Sequence, residues 1–390
     1  MTIRDMTLDL SDEVPPDADL GMGTERPMRI WAWQADQSGC GFYRVATPMR
    51  ALRRFGGHKV NVQPQVQGFV EFRMLGNCNG PAELCVIQRV VTLDMVPAVR
   101  RLATPGRHLV FEIDDNMFAI DPRNTHAFRL YARPEILDGL RTAASLCELV
   151  TVTTPELAEE MERQCGVPTV VLPNCVEDEM FTIDRPRHER VRVGWAGGQG
   201  HDGDMRTVAG QVRRFLARNR HVDFHTLGYD YRQLLGRDRV YFSTWTQPIS
   251  AYWRSIDFDI GIAPLAHSIF NRSKSGLKAL EYGALGIPMV ATDAAPYRDV
   301  IIDGVTGYLI THDYMWERRL RELANDAAMR EEMGAKAREH VRQWAMSRCW
   351  RQWEATYARV LGIGHTDPSR APEPVVSGAR PYVLRGSGRG

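Results

Sequence analysis

Residues 269–286, IFNRSKSGLKALEYGALG, hold the side chains best suited to chemistry in this chain. A polar run from Asn271 to Ser275 leads into Gly276, where a helix is expected to open, ending near Gly283–Gly286. Glycine at a helix start lets a ligand approach the backbone, and the free N–H groups and positive dipole end there favour a phosphate. Ser273 and Ser275 add hydroxyls and Lys274 adds a charge, while Leu277 and Lys278 fall in the first turn. Glu281, five residues into the helix, is placed to accept hydrogen bonds from sugar hydroxyls. The plainer alternative is a Glu281–Lys278 pair on a solvated helix face, worth roughly 0.2–0.5 kcal/mol. The only lysines are Lys59, Lys274, Lys278 and Lys336, so this stretch holds half of them.

Other candidates are weaker. Gly39, Gly41 and Arg44 follow the first expected strand, as either a ligand-facing loop or a turn with a surface arginine. Asp114-Asp115 ends another strand; a polar residue or base at Asp115 is preferred over metal ligation, because one Asp pair supplies few ligands. In GWAGGQGHDGD (194–204), Gly197 opens a glycine loop and His201 either faces an anion or caps that loop. Trp195, Trp245 and Trp253 are expected in the core.

These residues sit in a regular frame. Short apolar runs alternate with helical patterns, the habit of βαβ units and parallel sheets. The first series has strands at MRIWAW, HKVNVQ, ELCVIQRV, HLVFEID, LVTVTT and PTVVLPN. Its last helix, PELAEEMERQCG, starts at Pro155 behind Thr154 as N-cap. The second series has VRVGWAG, VDFHTLG, RVYFSTW, DFDIGIAPL and PMVATD, with turns at Asp303-Gly304 and Gly307. Two series of about 150 residues each imply an α/β protein of two doubly wound domains facing a cleft, with ligands outside the carboxyl ends of the strands.

Composition narrows the class. The chain has 390 residues, a net charge of +1, 44% hydrophobic and 25% charged residues, an ordinary globular balance. Near-neutrality argues against a dedicated nucleic-acid coat or polybasic membrane binder. No stretch approaches the roughly 20 apolar residues of a membrane span. The acidic N-terminus lacks a signal pattern, so a cytoplasmic location is expected. Seven cysteines without zinc or Cys-x-x-Cys spacing are read as reduced and buried. Residues 1–26 and 362–390 are expected to be disordered, being polar, charged and rich in Pro and Gly.

The segment GALGIPMVATD (283–293) with VIIDGVTGYLI (300–310) resembles the donor-binding region of group-1, family-4-like retaining glycosyltransferases. That resemblance implies the GT-B fold. Residues 27–173 would form an acceptor domain completed by a crossing helix, 346–361, with a linker at 174–190 and a donor domain at 191–345. It implies a nucleoside-diphosphate sugar as donor, UDP favoured over GDP, and no required metal. Glu281 would hold the ribose. Ser275, Gly276, Leu277, Lys278, Gly197 and His201 would surround the diphosphate and donor sugar, with Ser273 and Lys274 at the reacting centre. Asp115 would serve the acceptor hydroxyl, with Gly39, Gly41 and Arg44 on the acceptor side. Ser273 stands where the family has its first glutamate, and the 194–204 loop lacks the usual Arg and Lys. SKSGLKALEYGALG is similar to a divergent bacterial and bacteriophage branch, whose acceptor would be a glycan, a protein or a modified DNA base. A monomer or homodimer is expected. The rivals are a sugar-nucleotide epimerase or hydrolase, and a non-catalytic sugar-nucleotide-binding module.

Overall fold

The computed structural model describes residues 20–64, 82–90, 93–186, 188–366 and 375–376. Two parallel sheets organise them. The first contains β1 (Arg29–Gln34), β2 (Lys59–Pro64), β3 (Leu84–Gln88), β4 (His108–Glu112), β5 (Leu149–Val152) and β6 (Thr169–Val171), ordered β6-β5-β4-β3-β1-β2. The second contains β7 (Val191–Ala196), β8 (Val222–Leu227), β9 (Val240–Ser243), β10 (Ile260–Ala263), β11 (Met289–Thr292) and β12 (Gly307–Ile310), ordered β12-β11-β10-β7-β8-β9. A two-residue strand β13 (Val375–Val376) adds antiparallel to β6. Interior strands such as β3 and β10 are buried along their whole length, the unbroken apolar runs that parallel strands covered on both faces require.

In each sheet the chain enters at an interior strand, builds one side, then crosses to the other. Strand order therefore reverses between β1 and β3 and again between β7 and β10, leaving a crevice at the carboxyl ends of those strands.

Contacts divide the chain into two units. One holds Gly21–Phe118, Arg133–Pro173 and the described residues from Arg351; the other holds Ala119–Ala132 and Asn174–Trp350. The stretch 119–132 thus joins the second sheet, and the expected linker, 174–190, is part of the same unit. The helix Arg351–Leu361 belongs with the first sheet. Its Glu354 Oε1 accepts the Gly23 N–H at 3.0 Å and bonds His58 Nε2 at 2.8 Å, while Arg351 Nη1 donates to Glu354 Oε2 at 2.9 Å.

Two expectations change here. Residues 21–26 and 362–366 are built into the first unit: Glu25 N–H donates to Gly364 O, and Thr366 N–H to Gly23 O. The rest of both proposed disordered segments lies outside the described residues, Leu20 and the pair 375–376 excepted. The Gly39/Gly41 loop is itself helical, running through a π-helical turn, Phe42–Ala46, into Thr47–Arg54. The helix Pro155–Cys165 starts as expected, with Thr154 Oγ1 accepting the Leu157 N–H and Gly166 closing it at φ +65°. Among the described residues no helix is long and apolar enough to cross a membrane.

Candidate functional site

The second unit assembles a polar site at the β7/β10 crevice. The helix Leu277–Ala284 starts there with Gly276 as N-cap and no side chain capping it. Its face at positions 278 and 282, one turn apart, grips the end of β7. Lys278 Nζ donates to Ala196 O, and the Tyr282 hydroxyl accepts the Ala196 N–H at 3.0 Å. The ammonium also lies 5.2 Å from the Trp195 ring centroid. A Cβ at Gly197 would meet Lys278 Nζ at 2.8 Å, so glycine there makes room for the ammonium. Gly276 is constrained by packing too, since its Cβ would stand 2.3 Å from Pro296 O.

Glu281 is buried, 3% exposed, which removes the solvated helix-face reading. The Tyr252 hydroxyl donates to its Oε2 at 3.4 Å, and Tyr252 stacks on Trp245 with centroids 3.9 Å apart. Trp195 and Trp253 lie in the core as expected, whereas Trp245 is only half-buried. Lys274 sits in the loop before the helix, its Nζ 4.5 Å from the Phe270 ring centroid. Ser275 Oγ accepts from Asn174 Nδ2 at 2.6 Å. Ser273 is buried and its hydroxyl donates back to Ile269 O at 3.1 Å.

Asp204 organises the rim of this site, and sequence reasoning did not single it out. It lies in the first turn of the helix Asp202–Arg218. Its Oδ1 accepts the Ala266 N–H at 2.9 Å and Asn271 Nδ2 at 2.7 Å, and its Oδ2 bonds His201 Nδ1 at 2.8 Å. These bonds hold the Asp204 carboxyl below its usual range despite burial. Burial lowers the His201 pKa to about 4, with the Lys278 and Lys274 charges adding to the effect. A neutral imidazole donating from Nδ1 to Asp204 keeps a lone pair on Nε2. His201 Nδ1 is thus placed to brace Asp204. Burial, with Lys274 nearby, likewise lowers the Lys278 pKa to about 8.

The first unit gathers a separate cluster at the ends of β1, β3 and β4. Arg89 Nη2 pairs with Asp36 Oδ2 at 2.7 Å, and its Nη1 lies 3.8 Å from Asp114 Oδ1. Asp115 is half-buried beside them. Arg44 is placed otherwise than a surface or acceptor-side arginine would be. It is 2% exposed, its Nε 2.7 Å from Glu112 Oε1 and its Nη1 2.6 Å from Leu172 O. The π-helical turn aims it into the core. At Gly41 a Cβ would fall 1.8 Å from Asp36 O, so Gly41 serves the close approach of the 36–41 turn. Gly41→Ala should destabilise the protein by about 1–3 kcal/mol through backbone displacement, lowering the thermal midpoint. An unchanged midpoint would contradict this packing account. Gly39 has open space at its Cβ position and no such constraint. Among the described residues no group of three or more His, Cys, Asp or Glu is arranged to hold a metal.

The two reversing parallel sheets define an α/β protein of the GT-B fold class. Residues 255–340, which carry Lys274, Lys278 and Glu281, match the family described as "Glycosyl transferases group 1". A D-inositol 3-phosphate glycosyltransferase of Corynebacterium diphtheriae is 34% identical over 84 residues, 21% of this chain and 20% of that one. The chain thus spans about a fifth of the length of that curated relative. Among solved structures, a sucrose-phosphate synthase from Thermosynechococcus elongatus superposes with TM-score 0.61 at 13% identity, covering 86% of this chain and 99% of that one. HepE of Anabaena, solved with UDP, gives 0.57 at 14%, covering 85% and 100%.

Proposed function

We propose that the protein is a glycosyltransferase. It takes a sugar from a nucleoside-diphosphate donor bound in the second unit and passes it to an acceptor hydroxyl with retention, without a metal ion. The observation that carries this is a buried carboxylate, Glu281, inside an uncapped helix whose first turn and preceding loop supply Lys278 and Lys274. A vicinal pair of ribose hydroxyls suits a carboxylate that can accept two bonds. A diphosphate suits the helix N-terminus, the two ammonium groups and the Ser275 hydroxyl, whose proton is not used by Asn174. As the anomeric bond loosens, charge grows on the leaving phosphate, and these fixed donors stabilise it. The acceptor would attack on the face the diphosphate leaves, giving its proton to a departing phosphate oxygen. No enzyme nucleophile is needed, which accommodates Ser273 where the family has a glutamate. UDP is the preferred nucleotide, and HepE, solved with UDP, supports that choice. Acceptors worth screening are a glycan, a protein and a modified DNA base; the net charge of +1 speaks mildly against duplex DNA.

Thermal unfolding with UDP, GDP, ADP and dTDP tests the donor site. A ligand at about 100 times its Kd should add about 2.7 kcal/mol. If no nucleoside diphosphate stabilises the protein, the donor reading fails. Ser273, whose hydroxyl is used by Ile269 O, favours a second reading, a binding module that holds donor without turnover. Donor binding with no sugar release across the acceptor panel would select it.

Lys278 gives this site a pH signature. With a free-protein pKa of about 8, its ammonium is mostly present at pH 7 and mostly lost by pH 9. Diphosphate binding favours the charged form, so binding above pH 8 must take up a proton. Kd should then rise by up to about tenfold per pH unit above 8, with calorimetric heats depending on the buffer's ionisation enthalpy. Lys278→Met should flatten the profile; a flat wild-type profile would remove Lys278 from the diphosphate site.

A further inference from the structure

On the β8–β9 side of the second sheet, Ser243, His225 and Asp257 form a hydrogen-bonded chain. His225 Nε2 lies 2.8 Å from Ser243 Oγ, and His225 Nδ1 lies 3.1 Å from Asp257 Oδ1. The sheet explains the first contact. Tyr241 pairs with His225 across β8 and β9, and Ser243, two residues on, returns to the same face as its diagonal neighbour. The second contact comes from the segment leading into β10, where Asp257 is fixed by an ion pair from Arg192 and a contact from His188 Nε2, both to its other oxygen. The three residues line one surface cavity of about 580 Å³ with Phe242, Thr246 and Ser255. Ser243 is exposed while His225 is 8% exposed, the accessibility a nucleophile and its base need. Thr246 Oγ1, on the same wall, is buried without a partner and so has a proton to offer a developing oxyanion.

We propose that Ser243, His225 and Asp257 form a second, hydrolytic centre that cleaves small carboxylic esters through an acyl-enzyme. Order of contact and chemical roles match the nucleophile, base and orienting acid that recur on unrelated folds. Ser243 Oγ attacks the ester carbonyl carbon as His225 Nε2 takes its proton, and the carbonyl π pair moves onto oxygen. Collapse of that oxyanion expels the alkoxide, which leaves as alcohol with the proton from His225. Water, deprotonated by His225, then attacks the acyl-Ser243 carbonyl; the carboxylic acid departs and Ser243 regains its proton. Asp257 is the positioning residue. Its carboxyl is held below the usual range, burial being outweighed by the His225 hydrogen bond and the Arg192 charge, so it stays ionised and keeps the proton on Nδ1. The polar lining suits a short acyl group on a polar alcohol.

A fluorophosphonate probe followed by intact-mass and peptide analysis tests this on the full chain. Wild type should gain one phosphonyl adduct, with loss of fluoride, on the Ser243 peptide. Ser243→Ala should abolish labelling while keeping the wild-type melting curve, and His225→Ala should slow it by roughly 10²–10⁴-fold. Asp257→Asn should slow it and displace its pH profile, which a purely structural Asp257 would not do. Labelling is read without nucleotide or acceptor present, so the result stands apart from the donor-site reading. Wild-type labelling no faster than Ser243→Ala would overturn the proposal.

Discussion

Glu281→Ala is expected to weaken nucleoside-diphosphate binding by two to four orders of magnitude and to remove the nucleotide-dependent thermal shift. The carboxylate is 3% exposed and its burial is costly unless a ligand or a neighbour returns the hydrogen bonds that water supplied. Tyr252 supplies one such donor, on Oε2. Two ribose hydroxyls would add two further bonds, and each hydrogen bond to a charged acceptor is worth about 1.5–3 kcal/mol. Losing both costs about 3–6 kcal/mol, or roughly 10²–10⁴-fold in Kd. Glu281→Gln keeps one acceptor oxygen and should fall between wild type and alanine. Tyr252→Phe removes only an orienting donor and should cost about 0.5–1.5 kcal/mol. Calorimetric titration of the three variants, each first shown to melt like wild type without ligand, decides the matter. An alanine variant that binds nucleotide within threefold of wild type would place the ribose elsewhere.

The difference between what sequence disclosed and what it concealed follows contact range. Strand runs such as LCVIQ and HLVFE are apolar because their strands are covered on both faces, and that signal is local. The Thr154-Pro155 start is local as well. β12 escaped because GYLI is four residues long and directly follows a turn, giving too little pattern to separate strand from turn. Asp204 escaped for a different reason. An acid in a first helical turn is commonplace, and nothing nearby announces that its partners, Ala266 and Asn271, lie 62 and 67 residues further on. Arg44 misled for the same reason: after a glycine loop an arginine reads as surface, yet its partner Glu112 comes 68 residues later. Glu281 was legible only because the motif around it is long; Tyr252, which orients it, was not.

Arg44 and Glu112 make the second large expectation, one of stability. Their side chains are 1% and 2% exposed, paired through Nε–Oε1 at 2.7 Å and Nη2–Oε2 at 3.1 Å. The remaining valences are filled: Arg44 donates to Leu172 O and Val152 O, and Thr151 Oγ1 donates to Glu112 Oε2. One side chain thus joins the ends of β4, β5 and β6 to the helix after β1. Burial pushes the Glu112 carboxyl up, and the Arg44 charge and hydrogen bonds oppose that shift. Removing either partner leaves an uncompensated charge in the core, so Arg44→Leu or Glu112→Leu should each destabilise by about 3–5 kcal/mol. Replacing both, Arg44→Met with Glu112→Leu, removes the two desolvated charges together and should recover much of that loss, because a buried pair is often near neutral against apolar residues of similar size. Denaturant unfolding of the two single variants and the double variant gives the coupling directly. A double variant as unstable as the sum of the singles would show that Arg44 holds the strands through its carbonyl bonds, with the ion pair incidental. Near-wild-type stability in either single variant would mean that water reaches the pair, contrary to the burial that defines it.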